Sequence, residues 1–436
     1  MLSLKNRRNY ILLSSFVFFF FFAQAAAISL LSIWLTQKIG LNGVEAGTVF
    51  SANFIAAMIA QPIFGYLSDR LGFSRIVPAT IAGLVVLTGF FFSFIYAPLL
   101  QANVIVGAAI GGIFLGGTYV AGSYAVESYV DRISRREGFE YSRARLWGSL
   151  GFASAALFSG RLYNIEPGIN FYLASIAGIV LLPLILATRS QEPTTGEEKV
   201  QPTLRPADSF SILKLRKFWG FMVLILGVTN LYLVYDQQFP FYFSSQFPTK
   251  AEGTAMFGYL NSAQIFIEAG MMFVAPIIVR RTGATYGLLL ASGIMIVRIA
   301  ASAFAIGPIT ISMCKMLHSL ELPILLVSIF RYIAYHFEAR LSSTLYLVGV
   351  SFGHSLGLAF LSPIAGLLYD HIGFQNTYIV IAGFASLFWL ASWFTLSPTP
   401  AEITQKAKSS NDDRMRAPAS IQGDGQKQAL DHHDEP

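Results

Sequence analysis

Charge is what this sequence has least of: Asp, Glu, Lys and Arg make up 12% of its 436 residues, against about 25% in an average soluble domain. An ordinary soluble globule is excluded, because its surface could not be kept in water on so few charges. Cysteine is almost missing as well. Cys314, the single one, lies in an apolar run, closes no disulfide within the chain and reads as a core residue, so redox compartment is not legible. No metal-ligand spacing, nucleophile motif or phosphate-binding glycine loop is present either.

What is there is apolar sequence. Hydrophobic residues make up 54% of the chain, and a helix crossing the hydrocarbon core needs about 20 of them in succession. Breaks at Pro, Gly and charge place spans near 10–36, 45–67, 76–100, 103–130, 144–164 and 168–188 in a first half. A second half holds spans near 218–246, 253–280, 284–305, 308–332, 341–369 and 376–397. The expectation is an all-α membrane protein of twelve transmembrane helices in two six-helix bundles, 1–188 and 218–397. A polar linker at 189–217 with Pro193, Pro202 and Pro206 joins them, and a charged, disordered tail follows at 398–436.

The net charge of +6 matters less for its sum than for its distribution. Arg70, Arg75, Arg132, Arg135, Arg136, Arg143, Arg280, Arg281, Arg331 and Arg340 fall on one side of the expected spans with the linker and tail cations, and only Lys38, Arg161 and Lys250 on the other. By the positive-inside rule both termini are cytoplasmic, and nothing points to nucleic acid. Lys5 to Arg8, a phenylalanine-rich run and Ala25-Ala26-Ala27 imitate a signal peptide. The apolar stretch continues to Leu35, longer than the roughly 7–15 residues of a signal core, and is expected to be the first helix.

The halves repeat. Phe139-Glu140 with Arg143 precedes the fifth helix as Phe337-Glu338 with Arg340 precedes the eleventh, and Gly160-Arg161-Leu162-Tyr163-Asn164 closes the one as Gly366-Leu367-Leu368-Tyr369-Asp370 closes the other. Two such repeats imply a transporter whose site lies at the midplane between them. Gly65-Tyr66-Leu67-Ser68-Asp69-Arg70-Leu71-Gly72, between the second and third helices, resembles the loop signature of the major facilitator superfamily; an ordinary tight turn reads the same way.

Seven charges fall inside apolar runs: Glu127, Arg145, Asp236, Glu268, Arg298, Lys315 and Glu321. Exposed to lipid they would cost roughly 20 kcal/mol together, so they must pair, neutralise or line a wet cavity. Four acids face three bases, which leaves one carboxyl over. Lys315, His318 and Glu321 recur every third residue, so one cavity can see all three. The set suits proton handling, because a carboxyl in apolar surroundings can take and release a proton as its neighbours change; structural ion pairing is the plainer use. Glu127 and Arg145 suit sugar hydroxyls, one as acceptor and the other as donor, and Trp147 or Phe152 could cover a pyranose face. A salt bridge between helix ends is the alternative.

The stretches Ala125-Val126-Glu127, Phe139 to Arg145, Asp236-Gln237-Gln238-Phe239 and Lys315 to Pro323 resemble the oligosaccharide/proton symporter family of the major facilitator superfamily, over nearly the whole chain to Pro398. The resemblance implies sugar binding by Glu127, Arg145 and His318, with Phe152 where a stacking ring stands. It implies proton carriage by Glu321 assisted by Arg298, and a charge pair of Asp236 with Lys315. It also implies a bacterial inner-membrane protein working as a monomer, with the proton as coupling ion and no other cofactor.

The departures from lactose-type members are Leu233 and His354 in place of a second charge pair, and Ile265 in place of a glutamate that reappears three residues on as Glu268, a fifth sugar ligand. Gly258-Tyr259-Leu260-Asn261-Ser262-Ala263-Gln264 looks closer to sucrose permeases. The expected function is therefore proton-coupled import of a disaccharide, sucrose before lactose, melibiose or raffinose. Drug efflux, a membrane-embedded enzyme using His318 and Glu321, and a sugar sensor are the remaining alternatives; no catalytic motif supports the enzyme, and no signalling domain the sensor.

Overall fold

A computed structural model describes residues 4–188, 214–337 and 350–398. The expected linker except 214–217, the tail beyond Pro398, the start of the eleventh helix, and Glu338 and Arg340 of the repeat lie outside the described residues.

The first six helices are α1 (Arg7–Ile39), α2 (Gly43–Leu71), α3 (Ile76–Val86 continuing as Thr88–Ala102), α4 (Val104–Glu137), α5 (Tyr141–Ile165) and α6 (Ile169–Ala187). The next are α7 (Arg216–Ser245), α8 (Lys250–Thr282), α9 (Ala284–Phe304) and α10 (Gly307–His336), then Val350–Thr395. By length and apolarity nine stretches qualify as spans among the described residues, and the two parts of α3, bent by 43°, make a tenth.

Two physical reasons bring the count to the expected twelve. The 25 residues of α5 are helical throughout but carry Arg143, Arg145 and Arg161, which depress its apolarity. Val350–Thr395, at 46 residues, would be about 69 Å long as one rod, over twice the roughly 30 Å hydrocarbon core. Gly373, at φ +78°, breaks it into α11 (350–372) and α12 (374–395), a conformation that only glycine adopts freely.

Local chemistry sets the helix starts. Asn42 accepts from Glu45 N while Glu45 accepts from Asn42 N, both at 2.9 Å, a reciprocal cap that opens α2. Thr249 and Asn103 cap α8 and α4 in the simpler way. The outer surface is apolar, with Phe394 89% and Phe273 76% exposed, whereas Arg298, Lys315 and Glu321 are buried. This inversion of a soluble protein's pattern is what a lipid solvent requires.

Contact between the first six helices and the last six runs along two seams, α2 against α11 and α5 against α8. Both need bare backbone: a Cβ on Gly366 would lie 2.1 Å from Gly43 O, and one on Gly160 would lie 2.3 Å from Thr254 O. These contacts sit at the helix ends remote from the N-terminus, where the two sets of helices close on each other.

Candidate functional site

Between the two sets lies a cavity of about 480 Å³, whose walls include Phe152 from α5, Asp236 from α7, Asn261 and Gln264 from α8, Lys315 and His318 from α10. Helices α1, α2, α4, α9 and α11 supply the rest, so it is central to the molecule.

Its charged floor is a single network. Arg298 is buried and holds two carboxylates: Nη2 donates to Asp236 Oδ1 at 2.8 Å, and Nε lies 3.0 Å from Glu321 Oε1. The second contact is an ion pair by distance whose N–H is not aimed at the oxygen, and Glu321 Oε2 has no hydrogen-bond partner. His318 Nδ1 stands 3.0 Å from Glu321 Oε1 and 3.6 Å from Asp236 Oδ2. The Tyr232 hydroxyl meets the same His318 nitrogen, the two rings stacking at 5.7 Å. The guanidinium also lies 4.8 Å from the ring centres of both Tyr232 and Tyr235. Aromatic faces thus cover a cation that lipid could not solvate.

The expected pair of Asp236 with Lys315 is not formed. The guanidinium of Arg298 lies between Asp236 and Glu321 and pairs with both. Lys315 instead donates to Asn261 Oδ1 at 3.1 Å and Gln264 Oε1 at 2.8 Å. Of the four acids, Glu321 is paired, and Glu268 is the intramembrane carboxylate in no ion pair among the described residues. Glu268 lies one turn beyond Gln264 on the same helix, α8.

Glu127 and Arg145 do meet. Arg145 Nε donates to Glu127 Oε1 at 2.5 Å, with both side chains about one-third exposed. The guanidinium stacks 4.1 Å from the Phe21 ring centre. Neither residue, nor Glu268, is in the walls of the central cavity, whereas Phe152 and His318 are. Trp147 is exposed and donates to the Tyr10 hydroxyl at 3.4 Å, away from the cavity, so of the two rings only Phe152 faces it. Leu233 lines the cavity and His354 bonds Thr229 at 2.9 Å, so the lost charge pair leaves no orphan charge.

Asn261 and Gln264, part of the stretch that resembles sucrose permeases, also join the site, as does Tyr232. The first two are spaced i, i+3 in an apolar run, a signal that was present; Tyr232 had none.

The family model described as LacY proton/sugar symporter matches residues 2–409. The chain belongs to this family. The symporter is 39% identical over 387 residues to the raffinose permease of Escherichia coli, covering 87% of this chain and 90% of that one. It is 38% identical over 398 residues to the melibiose permease of Enterobacter cloacae, covering 90% and 94%. It is 35% identical over 379 residues to the sucrose permease of Escherichia coli, covering 87% and 91%. These relatives are permeases, and the symporter is a transporter, not an enzyme. Its backbone also matches the crystal structure of the nucleoside transporter NupG with a TM-score of 0.75 at 14% identity, over 89% of this chain and 98% of that one. At that identity the likeness is one of fold.

Proposed function

We propose that this symporter imports a disaccharide, sucrose first, with one proton, by alternating access. The observation that carries the reading is the Arg298 bridge between Asp236 and Glu321, with His318 joining Glu321 to the cavity wall. The seven intramembrane charges sum to one excess negative, and a single bound proton brings them to neutrality. A neutral set is the one that can be occluded from water without the cost of an uncompensated charge.

Glu321 is the proton's carrier in this scheme. Its Oε2 is buried without a partner, and its other oxygen is shared by Arg298 and His318. Proton loss is favoured when Arg298 turns toward it. Sugar bridges Glu127 and Arg145 in the first half to Glu268 and His318 in the second, with Phe152 against one ring. Bridging draws the two sets of helices together. The carrier works as a monomer in a bacterial inner membrane, with both termini in the cytoplasm and with the boundaries 1–188 and 218–397 for its halves.

Sucrose is supported by the Gly258–Gln264 stretch and by the displaced Glu268. A galactoside, lactose, melibiose or raffinose, is the second reading, supported by the higher identities to raffinose and melibiose permeases. Counterflow with labelled sucrose, lactose, melibiose and raffinose separates them: sucrose is expected to exchange fastest, and a sucrose-silent, galactoside-active carrier overturns the first choice. Glu321→Gln is expected to abolish uphill accumulation while sugar exchange continues; uphill uptake in that variant refutes the proton assignment.

A further inference from the structure

Lys315 is nearly buried inside the membrane, and all its close partners come from one face of α8. Its Nζ donates to Asn261 Oδ1 and Gln264 Oε1 and sits 4.4 Å from the centre of the Phe257 ring. An ammonium has three donors. Two end on amide oxygens and the ring face receives the third, which leaves Lys315 no N–H for a substrate.

The consequence falls on the amides. Only a carboxamide oxygen can face an ammonium, so Lys315 fixes which way each amide points. The –NH2 ends, two donors each, are turned away from the cation. That of Asn261 bonds no described residue and is not sealed from the cavity, which Asn261 lines beside His318.

We propose that the Asn261 –NH2 is a specificity-determining contact. It donates to a hydroxyl or ring oxygen of the saccharide ring that lies over α8, remote from the ring held by Glu127 and Arg145. Lys315 is a positioning residue: the cation orients the Asn261 amide. A ligand with one ring reaches only the Glu127–Arg145 end, whereas a two-ring ligand engages Asn261 as well. The inference rests on the sugar-symport reading.

Asn261→Asp isolates the claim. The aspartate keeps an oxygen for Lys315, and strengthens that contact to an ion pair, but has no donors. If Asn261 serves only to hold Lys315, the variant binds as the wild type does. The expected result is a rise of about tenfold in the dissociation constant for the transported disaccharide, measured on purified full-length protein. The inhibition constant of a competing methyl glycoside with one ring stays within about twofold, as does the thermal unfolding midpoint. Asn261→Ser, which shortens the side chain, is the second variant should the aspartate fail to fold; its hydroxyl cannot span to both Lys315 and the ligand, so it is expected to show the same one-ring versus two-ring split. Unchanged disaccharide binding, or equal losses for one-ring and two-ring ligands, overturns the proposal. A wild-type protein that binds no saccharide refutes instead the sugar reading on which it rests.

Discussion

The carboxylate of Asp370, at the end of α11, accepts from the first two backbone N–H groups of α2: Gly43 N at 2.7 Å and Val44 N at 2.8 Å. It is a negative charge on the positive end of a helix dipole belonging to the other six-helix set. Gln238 of α7 reaches the same turn, donating to Gly43 O at 3.1 Å. Any opening at this face must break these bonds, so Asp370 helps set how often it opens.

Asp370→Ala is expected to raise the open population about fivefold, the factor for a loss near 1 kcal/mol. Ser51, whose hydroxyl bonds Ala359 O across the same seam at 2.5 Å, offers the reporter. Maleimide labelling of Ser51→Cys in a Cys314→Ser background is expected to quicken by that factor; an unchanged labelling rate shows that Asp370 does not hold the face shut.

Bulk at the seams acts more strongly. With Gly160 so close to the α8 backbone, Gly160→Leu is expected to prop α5 and α8 apart, keeping sugar binding while stopping turnover. Binding to purified protein and counterflow in vesicles separate the two effects, and normal counterflow contradicts the picture of a seam that must close.

Arg298 and Asp236 form a third test, because removing one member of a buried pair strands the other. Arg298→Ala is expected to cost about 3–5 kcal/mol of stability. Adding Asp236→Ala is expected to recover part of that loss, since one stranded carboxylate is gone. A double variant no more stable than Arg298→Ala means that the pair does not share its energy.

Leu233 stands one turn from Thr229, the partner of His354. Leu233→Asp alone places an unpaired carboxylate on the cavity wall inside the membrane, and its expected outcome is poor expression and lost uptake. Combined with His354→Lys, the charge is balanced and uptake is expected to return. Failure of the double variant shows that the two positions do not face each other closely enough to pair.

Much of this was legible before any coordinates. Twelve helices follow from apolar run lengths and glycine breaks, even where α5 is too rich in arginine, and α11 with α12 too continuous, to be recognised by apolarity alone. The meeting of Glu127 with Arg145 was legible because both flank one short loop, and that of His318 with Glu321 because they share a helix face. The choice of ion partners was not. The resemblance implies Asp236 with Lys315, but the partner each side chain meets depends on which group reaches across from α8 and α9.

The sequence by itself determined that charge is buried in a lipid-facing bundle and that one carboxylate exceeds the cations, since composition and spacing are local properties of the chain. Only the tertiary structure decided that Arg298 serves both Asp236 and Glu321, that Lys315 is held by amides, and that Glu268 is the acid left over. Those outcomes depend on distances between helices far apart in sequence, where a shift of one or two ångströms exchanges one hydrogen-bond partner for another.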